Sequence, residues 1–264
     1  MSTSTAPKTI LVTGGSAGIG LAIAERLGRD GNRVVLAARN EERLAAAQAL
    51  LRAQNIDVGI IGLDVRDNAA VSEAIDNLDT IDGVVNNAAG NFACPAEEMS
   101  LNGFRAVVEI SLYGTFNAST ALARRLIRES KSGAICNIIT TYAWTGGPGV
   151  AHSAAAKAAM LAFGKSVAGE WGAHGIRVNS VAPGFVETEN ATDNILSAPG
   201  AAAAMLTKIP LGRFAQADEV AGSVSYLMGD EASYVTGAVL TIDGGRSLGQ
   251  AMHAAQPRQS PVSR

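Results

Sequence analysis

Cysteine is nearly absent. The 264 residues hold two, Cys94 and Cys136, too few for a disulfide framework or a thiolate metal centre, so both read as buried thiols. Three histidines lie far apart and give no ligand spacing. No block of Lys and Arg interrupts a chain of formal net charge −3, which excludes the concentrated basic face of a nucleic-acid binder. No apolar run is long enough to span a membrane. The stretch from Met1 to Lys8 is polar and short, and the apolar run behind it is a strand rather than a secretory signal. The last residues do not form the Ser-Lys-Leu type of peroxisomal address, so a cytoplasmic location is expected. Internal repeats and composition breaks are also missing. Residues 1–248 are therefore expected to form one domain, with 249–264 a loose tail.

What is present is a core. Apolar residues make up 47% of the chain and charged ones 17%, which fits a well-buried α/β protein rather than disorder. Short β-branched runs alternate with longer helical patterns: Thr9–Val12, Arg33–Ala37, Val58–Leu63, Gly83–Val85, Ala134–Ile139, Arg177–Val181 and Ala238–Ile242. Helical spacing appears over Gly18–Arg29 and near Glu41–Gln54, where Leu44, Ala47, Leu50 and Leu51 share a face. Strands this apolar are buried on both sides. The pattern predicts a single Rossmann-type, doubly wound parallel sheet of about seven strands with helices on both faces, its ligands at the carboxyl ends. The irregular stretch at 184–215 reads as a lid.

The first strand runs into Thr13-Gly14-Gly15-Ser16-Ala17-Gly18-Ile19-Gly20, and a helix follows at once. Glycines let the backbone approach a pyrophosphate, and the helix start offers free N–H groups and partial positive charge. The spacing is T-G-x-x-x-G-x-G rather than the plain G-x-G-x-x-G. The second strand ends in Ala37-Ala38-Arg39-Asn40, with no carboxylate for a ribose 2′-hydroxyl and a guanidinium suited to a 2′-phosphate. That combination predicts NADP(H) as cofactor, the alternative being an ordinary solvated arginine.

With these landmarks the chain resembles the short-chain dehydrogenase/reductase family from about Lys8 to Gly245. Asp64-Val65 after the third strand, Asn86-Asn87-Ala88-Ala89-Gly90 after the fourth, Pro183-Gly184 after the sixth, and Lys157 carry the likeness. The resemblance implies that Asp64 and Val65 hold the adenine, Asn87 to Ala89 line the ribose, and Lys157 bonds the nicotinamide ribose. It also implies that Pro183, Gly184, Val186 and Thr188 flank the nicotinamide. A homotetramer is implied as well, with interfaces on two long helices, here about Leu101–Glu129 and Ala151–His174.

Within the family, the chain is similar to the 2,4-dienoyl-CoA reductases in Asn87-Ala88-Ala89-Gly90-Asn91-Phe92, Gly114-Thr115-Phe116-Asn117 and Thr140-Thr141-Tyr142-Ala143. Ordinary members carry a tyrosine four residues before the lysine; this chain has Ser153 there. Tyr142 stands fifteen residues ahead of Lys157, as in the mitochondrial type, while His152 matches a histidine of the peroxisomal type. Tyr113 occupies the position of the mitochondrial type's thioester-binding asparagine, and Ser111 that of the peroxisomal type's aspartate. The resemblance puts Arg39 and Arg66 near the phosphates of coenzyme A, Phe92 and Ser100 along the acyl-thioester path, and Thr140 at the family's catalytic serine.

A serine hydroxyl is a poor general acid at neutral pH, so the expected donor is Tyr142. Lys157, Ser153 and Tyr113 complete the expected catalytic set. The implied reaction adds hydride at C5 of a dienoyl-CoA thioester and a proton at C2, and needs fixed donors for the dienolate. Structural alternatives remain for each residue: Tyr142 as an aromatic wedge, Ser153 as a small filler, His152 as a partly exposed helix residue, Tyr113 as helix packing. Two other functions fit the nucleotide elements: a carbonyl or 3-oxoacyl reductase with its acid moved to Tyr142 or His152, and a non-catalytic NADP-binding protein.

Overall fold

Seven strands rich in Val, Ile and Ala form the centre of the molecule, a computed structural model that describes residues 6–188 and 200–249. They are β1 (Thr9–Thr13), β2 (Arg33–Ala38), β3 (Val58–Gly62), β4 (Gly83–Asn86), β5 (Gly133–Ile138), β6 (Ile176–Pro183) and β7 (Val239–Ile242). All neighbours pair in parallel, in the order β3-β2-β1-β4-β5-β6-β7. Parallel neighbours need crossover helices, and these cover both faces of the sheet.

One face is packed by α1 (Gly18–Arg29), α2 (Glu41–Arg52) and α9 (Ala217–Met228), through Ile23, Leu27, Leu44, Leu51, Val220 and Val224. The other is packed by α3 (Asn68–Asp76), α5 (Gly114–Glu129) and α7 (Ala151–Trp171), through Val71, Ile75, Leu122, Leu126 and Val167. Short polar side chains start several helices by taking up free N–H groups. Asn40 Oδ1 accepts from Arg43 N at 2.8 Å and Asp67 Oδ1 from Ala70 N at 3.0 Å. Between β1 and β4 the strand order reverses, so the loops at their carboxyl ends diverge and open a crevice.

Two expectations need correction. The helix read as continuous over Leu101–Glu129 is α4 (Leu101–Val108), one π turn (Glu109–Tyr113) and α5. A π turn closes i→i+5 hydrogen bonds, which rotates the residues beyond it relative to a regular 3.6-residue repeat. Ser111 is buried at 1% exposure as a result, while Tyr113 is 54% exposed. The described residues of the stretch at 184–215 are also more ordered than its composition implies. Val186 bridges Ala215 in parallel, Ile209 is buried, and a helix, α8 (Ala201–Leu206), lies between them. Residues 189–199 of the expected lid and 250–264 of the expected tail lie outside the described residues. No helix among the described residues is long and apolar enough to cross a membrane.

Candidate active site

The β1–α1 turn is built around what a side chain would obstruct. Gly14 (φ 65°) and Gly18 (φ 55°) hold left-handed backbone. A Cβ on Gly20 would stand 2.2 Å from the Gly14 carbonyl oxygen and 2.5 Å from Asn87 Nδ2, so α1 starts hard against the turn only because Gly20 has none. Thr13 Oγ1 donates to Val85 O (3.2 Å) and accepts from the N–H groups of Asn87 (3.0 Å) and Ala88 (3.1 Å). Asn87 Nδ2 donates to the carbonyls of Thr13 and Gly14, both at 3.1 Å. Two loops are thereby locked together as one rim.

Below that rim is a crevice of about 580 Å³. Gly14, Ser16 and Ala17 line it from the turn, Arg39 and Asn40 from the end of β2, Asp64 and Val65 from the end of β3, and Asn87 to Ala89 from the end of β4. Arg43, which the sequence reading passed over, adds a second guanidinium beside Arg39. The left-handed glycine turn and the N–H groups at the start of α1, which no side chain caps, fit a dinucleotide pyrophosphate. Arg66 does not line the crevice; its guanidinium donates to both Asp64 oxygens at 2.6–3.1 Å. That contact holds the Asp64 carboxyl below the usual carboxylate range. Asn117, on α5, fixes the next residue by donating to Val65 O at 2.9 Å.

Asn87 and Ala89 also line a second cavity, of about 400 Å³. Ile138 to Thr140 reach it from the end of β5, and Pro183, Gly184, Phe185 and Val186 from the end of β6. Ile19 and Thr188 close the side towards the glycine turn, where Thr188 packs beside Gly18. Ser153 and Lys157, one turn apart on α7, enter together with Tyr142, the first residue of the short helix α6 (Tyr142–Thr145). Lys157 is 6% exposed and its Nζ donates to Ile138 O at 2.6 Å. Burial pulls its pKa down to about 8. No carboxylate lines this cavity among the described residues. Phenol, hydroxyl and buried ammonium in one lining can donate hydrogen bonds to an oxygen that gathers negative charge.

Other expected residues do not meet there. Tyr113 is outside the lining, carried to the surface by the π turn. Ser100 caps α4, its Oγ accepting from Gly103 N at 3.1 Å. Phe92 lies between two lining residues, Asn91 and Ala93, and its ring stacks on His152 at 4.4 Å between centroids. His152, expected to be partly exposed, is fully buried. Neither ring nitrogen has a hydrogen-bond partner, and burial pushes its pKa down. Its position at the first turn of α7, under Phe92, accounts for the difference. Met205 and Arg246 line the cavity without having been singled out in the sequence; only the Asp243-Gly244-Gly245 turn before Arg246 hinted at a fixed position.

A family model described as enoyl-(acyl carrier protein) reductase matches residues 14–247. The chain is 41% identical over 246 residues to a probable 2,4-dienoyl-CoA reductase [(2E)-enoyl-CoA-producing] of Bacillus subtilis, covering 91% of this chain and 97% of the relative. It is also 41% identical over 249 residues to the peroxisomal 2,4-dienoyl-CoA reductase [(3E)-enoyl-CoA-producing] of Pongo abelii, covering 91% and 84%. Among solved structures it is similar to a gluconate 5-dehydrogenase from Burkholderia cenocepacia in complex with NADP and tartrate. That likeness has a TM-score of 0.87 and 30% identity, over 92% of this chain and 96% of the other. With a seven-stranded parallel sheet, the glycine turn and Lys157 on α7, the chain belongs to the short-chain dehydrogenase/reductase family of oxidoreductases and resembles its 2,4-dienoyl-CoA reductases.

Proposed function

We propose that the protein reduces a 2,4-dienoyl-CoA thioester to an enoyl-CoA with NADPH. The observation that carries this reading is the lining of the second cavity, which holds Tyr142, Ser153 and buried Lys157 together, with a serine where a carbonyl-reducing member has its tyrosine. The relatives named as dienoyl-CoA reductases support the substrate class. Arg39 just after β2 and Arg43 in the first turn of α2 support a phosphorylated ribose, as does the NADP bound by the Burkholderia enzyme.

In this reading the nucleotide crevice holds NADPH, whose nicotinamide supplies a hydride. Gly14, Ser16, Ala17 and Gly18 offer backbone to the pyrophosphate, and Asp64 and Val65 border the adenine. Lys157 directs its ammonium to the ribose hydroxyls while its anchor to Ile138 O keeps it in place. Tyr142 donates its phenolic hydrogen to the thioester oxygen as the dienolate forms, and Ser153 and Thr140 orient the neighbouring donors. The acyl-CoA chain enters by Asn91 and Ala93, past Phe92 and Ser100. Protonation at C2 leaves a 3-enoyl product and protonation at C4 a 2-enoyl product; the two relatives' names carry one each. We take C2 for this chain. A cytoplasmic homotetramer is part of the proposal. The assembly is supported by the largely apolar helix α7 and by Phe116, 44% exposed, and exposed Tyr113 three residues before it.

The test is NADPH oxidation with 2,4-hexadienoyl-CoA and with acetoacetyl-CoA, with the product identified. Turnover of the dienoyl thioester to a 3-enoyl product is expected. Turnover of acetoacetyl-CoA alone identifies a carbonyl reductase with its acid at Tyr142 or His152, and turnover of neither leaves a nucleotide-binding protein.

A further inference from the structure

The proposed donor is held from outside its own helix. Arg246, from the turn after β7, places its guanidinium carbon 5.1 Å from the centre of the Tyr142 ring, within the range of a cation–π contact. The arginine is delivered by a fixed structure. Asp243, 9% exposed, accepts from Gly245 N at 2.9 Å and from Ser247 N at 2.7 Å, and Arg246 N donates to Asp243 O at 3.1 Å. The Asp243 backbone and Cβ in turn lie so close to Gly184 that a Cβ there would stand 2.9 Å from both Asp243 Cα and Cβ. The turn is thus tied to the loop that lines the cavity. A second restraint on the ring comes from Gly147, where a Cβ would lie 3.1 Å from Tyr142 Cγ.

We propose that Arg246 is a positioning residue, whose guanidinium on the ring, with Gly147 against it, keeps the Tyr142 phenol in the reaction cavity. The need for such a device follows from where the phenol sits. A tyrosine on α7 beside Lys157 would be fixed by a 21-residue helix. Tyr142 opens a four-residue helix followed by Gly146 and Gly147, and so short an element cannot by itself fix a side chain. A cation fits the task because the ring face is electron-rich, and the Asp243 carboxylate, which feels the Arg246 charge, is itself occupied by the Gly245 and Ser247 N–H groups. The role rests on the dienoyl-CoA reductase reading, in which the Tyr142 hydroxyl meets the thioester oxygen.

The test compares wild type with Arg246→Met, Arg246→Lys, Tyr142→Phe and the Tyr142→Phe/Arg246→Met pair, measuring kcat and KM for 2,4-hexadienoyl-CoA and Kd for NADPH. Crystal structures of wild type, Arg246→Met and Arg246→Lys accompany the kinetics. Arg246→Met is expected to lower kcat by about 5- to 30-fold, the ring population a contact of this kind controls. KM and the NADPH Kd stay within about twofold. Arg246→Lys, which keeps the cation, recovers most of kcat. In the Tyr142→Phe background, Arg246→Met changes nothing further, because the hydroxyl it serves is gone. The crystals show the ring displaced from the cavity in Arg246→Met and retained in Arg246→Lys. A rise in KM at constant kcat, an equal loss in both backgrounds, or a ring that stays in place in Arg246→Met overturns the role. Absence of dienoyl turnover in wild type instead overturns the functional reading, and the ring position then decides the role of Arg246 on its own.

Discussion

At the nucleotide end of the crevice, Thr13, Gly14 and Asn87 satisfy one another through hydrogen bonds of 3.0–3.1 Å, and Gly14 and Gly20 let the turn, α1 and the Asn87 loop pack directly on one another. At the reaction end, polar groups are buried without such partners. Lys157 keeps a cation against the Ile138 carbonyl, and close by in the chain both ring nitrogens of His152 are without a partner. The first region is a finished scaffold that stabilises the fold. The second carries an electrostatic cost, seen in the lowered pKa of Lys157, a feature common at functional sites.

Removing the buried charge separates the two regions most strongly. Lys157→Met is expected to lower kcat by about 10²- to 10⁴-fold and yet raise the melting temperature, because an ammonium whose pKa has fallen from 10.5 to about 8 destabilises the fold. A fall in melting temperature would make Lys157 part of the scaffold. The sign extends to pH. Between about 8 and 10.5 the unfolded chain retains a proton that the folded one has released, so stability rises across that interval. Over the same range kcat/KM for NADPH falls as the ammonium is lost, and Lys157→Arg moves that limb upward.

Gly20→Ala tests the scaffold itself. A Cβ 2.2 Å from Gly14 O forces the turn open at about 3 kcal/mol, about 100-fold in the NADPH Kd, with a lower melting temperature; fluorescence titration and thermal unfolding measure both. Arg39→Asp, at the edge of the same crevice, is expected to shift the NADPH-to-NADH preference by about 10- to 100-fold, read from kcat/KM with each cofactor. His152→Leu gives the smallest effect. The folded state resists protonating this buried ring, so wild type loses stability as pH falls below about 6.5. The variant loses less stability between pH 7 and 5, measured by urea unfolding.

The same contrast explains what could be read from the chain. The strands were legible to within about two residues because each is a short apolar run, even β3 and β7, which the sheet edges leave only partly buried, and the nucleotide turn because its glycines lie close together in sequence. Lys157 and Tyr142 were recognised by their spacing. The π turn at Glu109–Tyr113 leaves no trace in hydrophobic period, so Tyr113 was expected inside and lies outside. Phe92, Ser100 and Arg66 were assigned to the substrate by resemblance, whereas their contacts are with His152, the start of α4 and Asp64. Arg43, Arg246 and Met205 reach their places only when β2, β7 and α8 are assembled. Apart from the Asp243-Gly244-Gly245 turn before Arg246, nothing local in the sequence marks them.

The central claim is that a phenol displaced from α7 to the end of β5 serves the reaction. Steady-state turnover of 2,4-hexadienoyl-CoA by Tyr142→Phe, with the NADPH Kd measured on the same protein, tests it most directly. Turnover should drop by about 10²-fold or more while NADPH binding stays within about twofold. Undiminished turnover by that variant would contradict the account and return the acid to another cavity residue.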